Sequence, residues 1–455
     1  MNDLDIVILA AGIGKRMNSN TPKVLHKIGN KHMLQYVIET ALNLNPRSIN
    51  IVYGFCGELL KSVINGAFPN NNFNWHVQEL QLGTGHALKC TLNGLQNKGK
   101  TLILYGDVPL IGSDILQSMI NIYNNNVIIL VSKIDNPDGY GRIIRDTKNN
   151  VLKIVEDKDL DYDQKFIQEI NTGFYIFPNE FIHTNINQLT NNNKQSEYYL
   201  TDLVGLAYNY LEIKALENGN TLKLLGVNDK EQLEKIERIY QSEIAIKLLK
   251  TGLSIIDRNR LDIRGDVTFG KDCLIDINCI LEGSVELGCN VTIEANCILR
   301  NVRIGNNVVI KAFSYIEDSC IDNECVIGPF ARMRSDVHIS NNSRIGNFVE
   351  IKKSTINQNT KINHLSYIGD AQVGENVNIG AGVITCNYDG KNKNKTVIED
   401  GSFIGSGSMI VAPVTIGENS LIGAGSVITL NTPSNELTLS RSKQVTIKGW
   451  KKRKK

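Results

Sequence analysis

The sequence predicts two unlike parts, an α/β domain built on a mainly parallel sheet and then a parallel β-helix. Three observations predict this. In the first half, apolar strand-like runs alternate with helical patterns, the arrangement of a sheet covered on both faces. From Ile263 to Ile428 an aliphatic residue recurs every six positions, a period that marks stacked coils rather than a helix or a lone strand. The step shortens to five at Leu299 to Ile304, Ile316 to Ile321, Ile351 to Ile356 and Ile368 to Val373. Counted in triplets, all four short steps fall on the same side, as a three-sided coil of about eighteen residues would place them.

The bulk numbers narrow the classes. A chain of 455 residues exceeds one core, so two or three domains are expected. With 49 basic against 47 acidic residues, net charge +2, nothing global points to nucleic acid or membrane insertion. The one basic run, residues 451–455, reads as a solvated end. The N-terminus carries no signal-like segment, and no run is apolar enough to span a bilayer. The nine cysteines are odd in number and unpatterned. Cys273, Cys279, Cys297, Cys320 and Cys325 each stand four residues after a ladder residue, where a small buried side chain is wanted. They are expected to pack, in a cytoplasmic protein.

Strands are expected at residues 6–10, 49–53, 74–78, 101–105, 127–133 and 171–177, with helices at 33–44 and 85–95 between them. In such sheets ligands gather beyond the carboxyl ends of the strands. After the first strand comes Leu9-Ala10-Ala11-Gly12-Ile13-Gly14-Lys15-Arg16-Met17, then Thr21-Pro22-Lys23. Small residues there let backbone N–H groups approach an anion, and Lys15, Arg16 and Lys23 add charge. The stretch is neither a Walker loop nor a full dinucleotide fingerprint, and by itself a phosphate cradle and a plain tight turn both fit it. Gln81-Leu82-Gly83-Thr84-Gly85-His86-Ala87 opens a helix after a strand, where N–H groups are free. Tyr105-Gly106-Asp107-Val108-Pro109 ends a strand on a single carboxylate, which suits Mg²⁺ completed by substrate phosphates.

Residues 229–252 read as a connecting helix, with Leu233, Ile236, Tyr240, Ile244 and Leu248 at three- and four-residue spacing and Gly252 as its stop. In the ladder beyond, Gly288, Gly305, Gly328, Gly346, Gly369, Gly374, Gly380, Gly405, Gly417 and Gly423 each follow a ladder residue, where a corner can require positive φ. Between Ile379 and Ile398 the interval is nineteen residues where six are expected, leaving thirteen extra that include Thr385 to Gly390 and the hydrophilic run 391–395. An excursion from a regular coil points to function. His364 lies nearby in the hexad of Ile362, and Arg334 and Lys352 each follow a ladder residue. A lone histidine fits a structural or a catalytic role.

With Gly139-Tyr140-Gly141-Arg142, Val155-Glu156, Ile170-Asn171-Thr172-Gly173 and Gly226-Val227-Asn228, these motifs make the first half closely similar to the sugar-phosphate nucleotidyltransferases. The C-terminal hexads narrow the resemblance to the bifunctional bacterial N-acetylglucosamine-1-phosphate uridyltransferase/glucosamine-1-phosphate acetyltransferases, over nearly the full chain. That resemblance implies a Rossmann-like nucleotidyltransferase domain (1–228), a linker helix (229–252) and a left-handed parallel β-helix acetyltransferase domain with a C-terminal tail (253–455).

The resemblance also implies roles. Leu9, Ala10, Ala11, Gly12, Gln78, Gly83, Thr84, Tyr105 and Gly106 match the uridine-nucleotide site, with Arg16 and Lys23 on the phosphates. Gly141, Glu156 and Asn171 match contacts to the N-acetylglucosamine moiety, and Asp107 with Asn228 matches the Mg²⁺ ligands. Arg334, Lys352, Tyr367 and Asn378 match the acetyltransferase sugar-phosphate site, while Asn387, Tyr388, Ser406, Ala424 and Arg441 match acetyl-CoA contacts. His364 matches the general base, and in the family the excursion reaches across a subunit boundary in a homotrimer. Two departures stand out: Lys15 replaces the usual Thr of G-x-G-T-R-M, and Ser335 stands where the family often has Pro. The expected activity is acetylation of glucosamine-1-phosphate by acetyl-CoA, then coupling of the product to UTP. The alternatives are a monofunctional nucleotidyltransferase with an oligomerising β-helix, and a non-catalytic scaffold.

Overall fold

The computed structural model describes residues 3–451 apart from Ile13, Phe55 and Asn220. Of the glycine-rich loop, Ile13 thus lies outside the described residues, as do residues 452–455 of the basic tail. Two compact units divide at Tyr240/Gln241. The division falls within the helix Lys230–Lys250, in the segment expected to connect the halves. Among the described residues no helix is long and apolar enough to cross a membrane.

In the first unit the main strands are β1 (Leu4–Ala10), β2 (Ser48–Tyr53), β3 (Asn74–Val77), β4 (Lys100–Tyr105), β5 (Val127–Lys133), β6 (Glu169–Pro178) and β7 (Ile213–Glu217). They lie in the order β7-β5-β6-β4-β1-β2-β3, with the strands Arg142–Arg145 and Val151–Val155 attached beside β6. The sheet is parallel except that β6 runs antiparallel to both neighbours, and the added pair is itself antiparallel. Strand β1 is buried at every position, because apolar clusters cover both faces: Ile6, Ile8 and Leu104 pack on one side, Val7, Leu9 and Ile103 on the other. Helix Met33–Leu42 begins with a capping box in which Gln35 Oε1 accepts from His32 N at 2.7 Å. The helix expected over 85–95 is only Thr84–Lys89, followed by a short turn at Leu92–Gly94. The connecting helix ends in a Schellman motif: Leu253 N donates to Leu248 O and Gly252, at φ 109, to Leu249 O.

The second unit is a three-sided parallel β-helix. One side is an 11-stranded sheet and the other two share a 15-stranded sheet. Ile275, Ile293, Ile310, Ile327, Ile345, Ile362, Ile379, Ile404 and Ile422 form one column of register partners. Leu281, Leu299, Ile316, Met333, Ile351 and Ile368 form a second. Leu287, Ile304, Ile321, Ile339, Ile356 and Val373 form the third. Every ladder residue is buried except Phe269, which is partly so. Each buried side chain contributes about 1.5–3 kcal/mol, realised only against the coils above and below.

Three expectations change. Of the ten glycines that follow ladder residues only Gly328 has positive φ; at eight of the others the next coil passes too close, and at Gly369 a Cβ would meet the ring of Tyr367 on its own strand. A Cβ on Gly346 would stand 2.0 Å from Asn363 O, and one on Gly405 2.5 Å from Ala424 N. Positive φ is carried two residues after the glycine at Asn290, Asn307, Asn376 and Asn419, where asparagine tolerates the left-handed region.

Cys273, Cys279, Cys297 and Cys325 are buried as expected, but Cys320 is not. The short step from Ile316 to Ile321 removes one residue, so the fourth position stands next to the ladder residue and faces outward.

The interruption is also shorter than counted. Thr385 continues the ladder, fully buried and aligned with Ile410. Its hydroxyl accepts from Gly369 N at 2.7 Å and lies 3.3 and 3.2 Å from the carbonyls of Tyr367 and Gly369. A threonine with valine's shape can replace the aliphatic only because these backbone partners satisfy its oxygen. From Thr385 to Ile398 is thirteen residues where other coils use five or six, so the true excursion is seven or eight.

Candidate functional site

At the carboxyl edge of β1 and β4 the first unit opens a cavity of about 750 Å³. It is lined by Leu9, Ala10, Ala11, Gly12, Lys23, Gln78, Gly83, Thr84, Tyr105, Asp107 and Asn228. Eleven expected residues thus meet around one space, where parallel strands end and the chain is free to turn. Lys15, the departure from the usual Thr, also faces it. Gly14, at φ 66, is required by a close approach: a Cβ there would lie 2.8 Å from the Cβ of Lys23.

The opposite wall is made by backbone. Gln78 Nε2 donates to Gly83 O at 3.0 Å, and Tyr198 N donates to Leu82 O at 2.8 Å. Gly85 N returns a bond to Tyr198 O at 2.8 Å, and Leu200 N donates to Thr84 Oγ1 at 3.1 Å. The 197–200 segment therefore clamps the Gly83 turn and brings Glu197 to the cavity. Glu197 was not singled out from sequence, since it lies in no glycine motif, and Gln81 was read only as the opening of the Gly83 motif, with no role of its own.

Lys23 donates its ammonium protons to the Asp107 carboxylate and to Asn228 Oδ1, the latter at 3.1 Å. Two hard oxygens from distant parts of the chain thus converge on a single cation. That is the donor set a Mg²⁺ ion takes when substrate phosphates and water complete its shell.

Gly141, Glu156 and Asn171 form a neighbouring cluster. Asn171 N donates to Gly141 O at 2.8 Å, and a Cβ on Gly141 would lie 3.5 Å from Glu156 Oε2. Burial pushes the Glu156 carboxyl up, while a 2.9 Å bond from Thr201 Oγ1 opposes the shift. Tyr105 joins the two regions, with its ring against Gly173 and its hydroxyl at the cavity beside Thr84. Gly106 packs among Ala10, Val24 and Leu34 rather than facing the cavity, and Arg16 is exposed outside its lining.

In the second unit His364 is in register with Asn347 in the preceding coil, and its Nδ1 lies 2.9 Å from Asn347 Oδ1. With that oxygen accepting, the proton sits on Nδ1 and Nε2 presents a lone pair. Above His364 the same corner position carries Ala381, Ser406 and Ala424. Gly407 N donates to Ala381 O and Gly425 N to Ser406 O, both at 2.8 Å. The adjoining left-handed position changes character at this level. Below and beside His364 it holds Phe313, Phe330, Phe348 and Leu365; above, Gly382, Gly407 and Gly425. A Cβ on Gly407 or Gly425 would meet nothing within 4 Å. The result is a shelf bare of side chains, starting at His364, and Arg441 caps it by donating to Ala424 O at 2.6 Å.

Arg334 and Lys352 are register partners on the next side. Arg334 is paired with Glu350 at 2.8 Å, and Glu350 is in register with Tyr367. Lys352, 8 % exposed, is held below the usual lysine range, first by the adjacent Lys393 ammonium. Crowded ammonium groups of this kind favour an incoming dianion. Lys393 lies in the hydrophilic run already noted, but its pairing with Lys352 was not legible.

Asn378 stands apart, in register with Lys361 and Phe403. On the excursion, Asn387 bonds Asp370, and Tyr388 is 60 % exposed with its hydroxyl on Gly390 O at 2.6 Å. The excursion is braced from within: Asp389 Oδ1 accepts from Lys391 N at 2.8 Å and Asn392 N at 2.6 Å. Ser335 has φ 58, a value a proline ring excludes, so the backbone there follows its own course.

Residues 6–147 match the family model for the MobA-like NTP transferase domain, and residues 284–318 and 395–429 match that for bacterial transferase hexapeptide (six repeats). Over its length the chain is similar to proteins named bifunctional protein GlmU. It is 47% identical over 453 residues to that of Chromobacterium violaceum, with 99% of both chains covered. It is 48% identical over 455 residues to that of Nitrosomonas europaea, again with 99% of each covered. To that of Ruthia magnifica it is 46% identical over 454 residues, with the same coverage.

Proposed function

The chain belongs to the bifunctional GlmU family, and from that premise we propose that each of its two units carries one transferase site. The C-terminal site acetylates glucosamine-1-phosphate with acetyl-CoA. The N-terminal site couples the resulting N-acetylglucosamine-1-phosphate to UTP, giving UDP-N-acetylglucosamine and pyrophosphate for envelope sugar synthesis. The observation that carries the reading is the convergence of Asp107 and Asn228 on one cation at the mouth of a nucleotide-sized cavity.

At the N-terminal site the sugar-phosphate oxygen attacks the α-phosphorus of UTP as the bond to pyrophosphate breaks. Positioning and neutralisation of charge do most of the work. Leu9 to Gly12, Gln78, Gly83 and Thr84 hold the uridine nucleotide, with Lys15 and Lys23 on its phosphates and Arg16 adding positive charge from outside the lining. Asp107 and Asn228 would hold Mg²⁺, which would supply neutralisation of phosphate charge. Lys23, beside both oxygens, is placed to meet the phosphates. Gly141, Glu156 and Asn171 receive the sugar.

At the C-terminal site the amine of glucosamine-1-phosphate attacks the thioester carbonyl, and His364 Nε2 takes its proton. The same proton is available to the departing thiolate. Asn347 holds the imidazole in the accepting tautomer. Arg334, Lys352 and Lys393 hold the phosphate, with Tyr367 and Asn378 around the sugar. The shelf of Ala381, Ser406 and Ala424 takes the extended arm of acetyl-CoA, with Arg441 at its far end. Tyr388, exposed on the excursion, and Asn387 beside it, buried against Asp370, complete the cofactor site of a neighbouring copy in a homotrimer. Nine free cysteines are in keeping with a cytoplasmic setting.

The test is a coupled assay from glucosamine-1-phosphate, acetyl-CoA and UTP. His364→Ala should abolish acetylation and spare uridylyl transfer, and Asp107→Asn should do the reverse. A wild-type protein that makes no nucleotide sugar would refute the reading.

A further inference from the structure

We propose that Cys320, Asp322 and His338, on the outer face of the β-helix, form a Zn²⁺ site that ties two successive coils together. Among the described residues this is the one group of three or more His, Cys, Asp or Glu side chains whose ligand atoms converge, all within 4.8 Å of one another. The convergence is dictated by strand geometry. Cys320 and His338 are direct register partners on adjacent parallel strands, and Asp322 follows Cys320 by two residues, so all three side chains leave the same face. Cys320 points outward only because of the five-residue step from Ile316 to Ile321.

The spacings suit a small tetrahedral ion. His338 Nε2 lies 2.9 Å from Asp322 Oδ2, and Cys320 Sγ lies 3.9 Å from Asp322 Oδ1. Zinc bonded to sulfur, nitrogen and oxygen holds its ligand atoms roughly 3.3–3.6 Å apart, between these two values. A set of thiolate, imidazole and carboxylate selects zinc over Mg²⁺ or Ca²⁺, and leaves a fourth position for water. Binding requires Cys320 to lose its proton to solvent. The Arg303 guanidinium donates to Sγ at 3.6 Å and can remain hydrogen-bonded to it. With thiolate, carboxylate and guanidinium together the site carries one net negative charge before the metal enters. Glu286, near Arg303, adds a further negative charge.

The experiment uses the full-length protein stripped of metal and titrated with Co²⁺ as a spectroscopic stand-in for zinc. The expected result is a sulfur-to-cobalt charge-transfer band saturating at one ion per chain and reversed by Zn²⁺. Cys320→Ser should abolish the band, and His338→Gln and Asp322→Asn should each weaken Co²⁺ binding at least tenfold. Cys289→Ser, which alters another partly exposed cysteine, should leave it intact. Circular dichroism of each variant checks the fold. Co²⁺ bound at Asp107 and Asn228 gives no sulfur band and is not confused with this site. Absence of the band in wild type, or its persistence in Cys320→Ser, would overturn the proposal.

Discussion

Replacing Asn347 with alanine removes the acceptor that holds the His364 ring 2.9 Å away at Nδ1. Neither residue is buried, so the fold should stand. The ring then samples both tautomers and other rotamers, and only one arrangement offers Nε2 to the amine. A neutral hydrogen bond of this kind is worth about 0.5–1.5 kcal/mol, so acetyl transfer should fall roughly two- to tenfold in kcat. Asn347→Asp separates orientation from charge. It keeps an acceptor in place but sets a carboxylate beside the ring, which favours imidazolium by roughly 1–1.5 kcal/mol at an exposed site. Because the base must be neutral, the acid limb of the pH–rate profile should move up by about one unit. Acetyl transfer would be followed by release of free thiol from pH 5.5 to 9 or so, with uridylyl transfer on the same samples as an internal control. If Asn347→Ala matches wild type at every pH while His364→Ala is inactive, Asn347 does not orient the base. If Asn347→Asp leaves the acid limb in place, the titrating group is not His364.

Other expectations follow from single contacts. Thr385→Val should lower stability by about 1–3 kcal/mol, since Gly369 N loses its buried acceptor, and calorimetry would register it as a lower Tm. Gly346→Ala should cost more than about 3 kcal/mol, because its Cβ would meet Asn363 O at 2.0 Å; Gly407→Ala should cost only the left-handed strain of about 1–2 kcal/mol, its Cβ meeting nothing. Equal denaturant midpoints for those two variants would contradict the account of the corners. Glu156 is raised by burial, so its folded form prefers the proton, and its contribution to stability is lost as pH rises through the folded value. Glu156→Gln should therefore raise Tm relative to wild type at pH 8 and lose that advantage near pH 4, while impairing uridylyl transfer at both.

The periodic part of the molecule was legible because one burial rule repeats every coil. The register partners fall where the six- and five-residue steps put them. What the sequence hid were a change of chemistry at a kept position and a change of facing at a shortened step. Thr385 kept the ladder's position without its chemistry, so the excursion looked longer than it is. Cys320 kept its distance from the ladder residue before it, but the shortened step turned it outward. The glycines were visible, yet for most of them the cause was the neighbouring coil and not their own torsion angles. Asn347 was missed for the same reason: its partner is the histidine one coil on. In the first unit the strand ends and glycine turns were readable. Glu197 and the Lys352–Lys393 pairing were not, since both depend on segments that meet only after folding.

The bare corner above His364 has a further property as a measuring scale. Each coil advances the helix by about 4.8 Å, so Ala381, Ser406 and Ala424 are graduations at about 5, 10 and 14 Å from the imidazole. If the shelf holds acetyl-CoA as proposed, the length of arm it accommodates would be set by how many coils separate His364 from Arg441, not by the identity of any side chain between them. Excising one whole coil above His364 would keep every ladder column continuous and shift Arg441 by one graduation. A thioester shortened by the same length would then be the better matched donor.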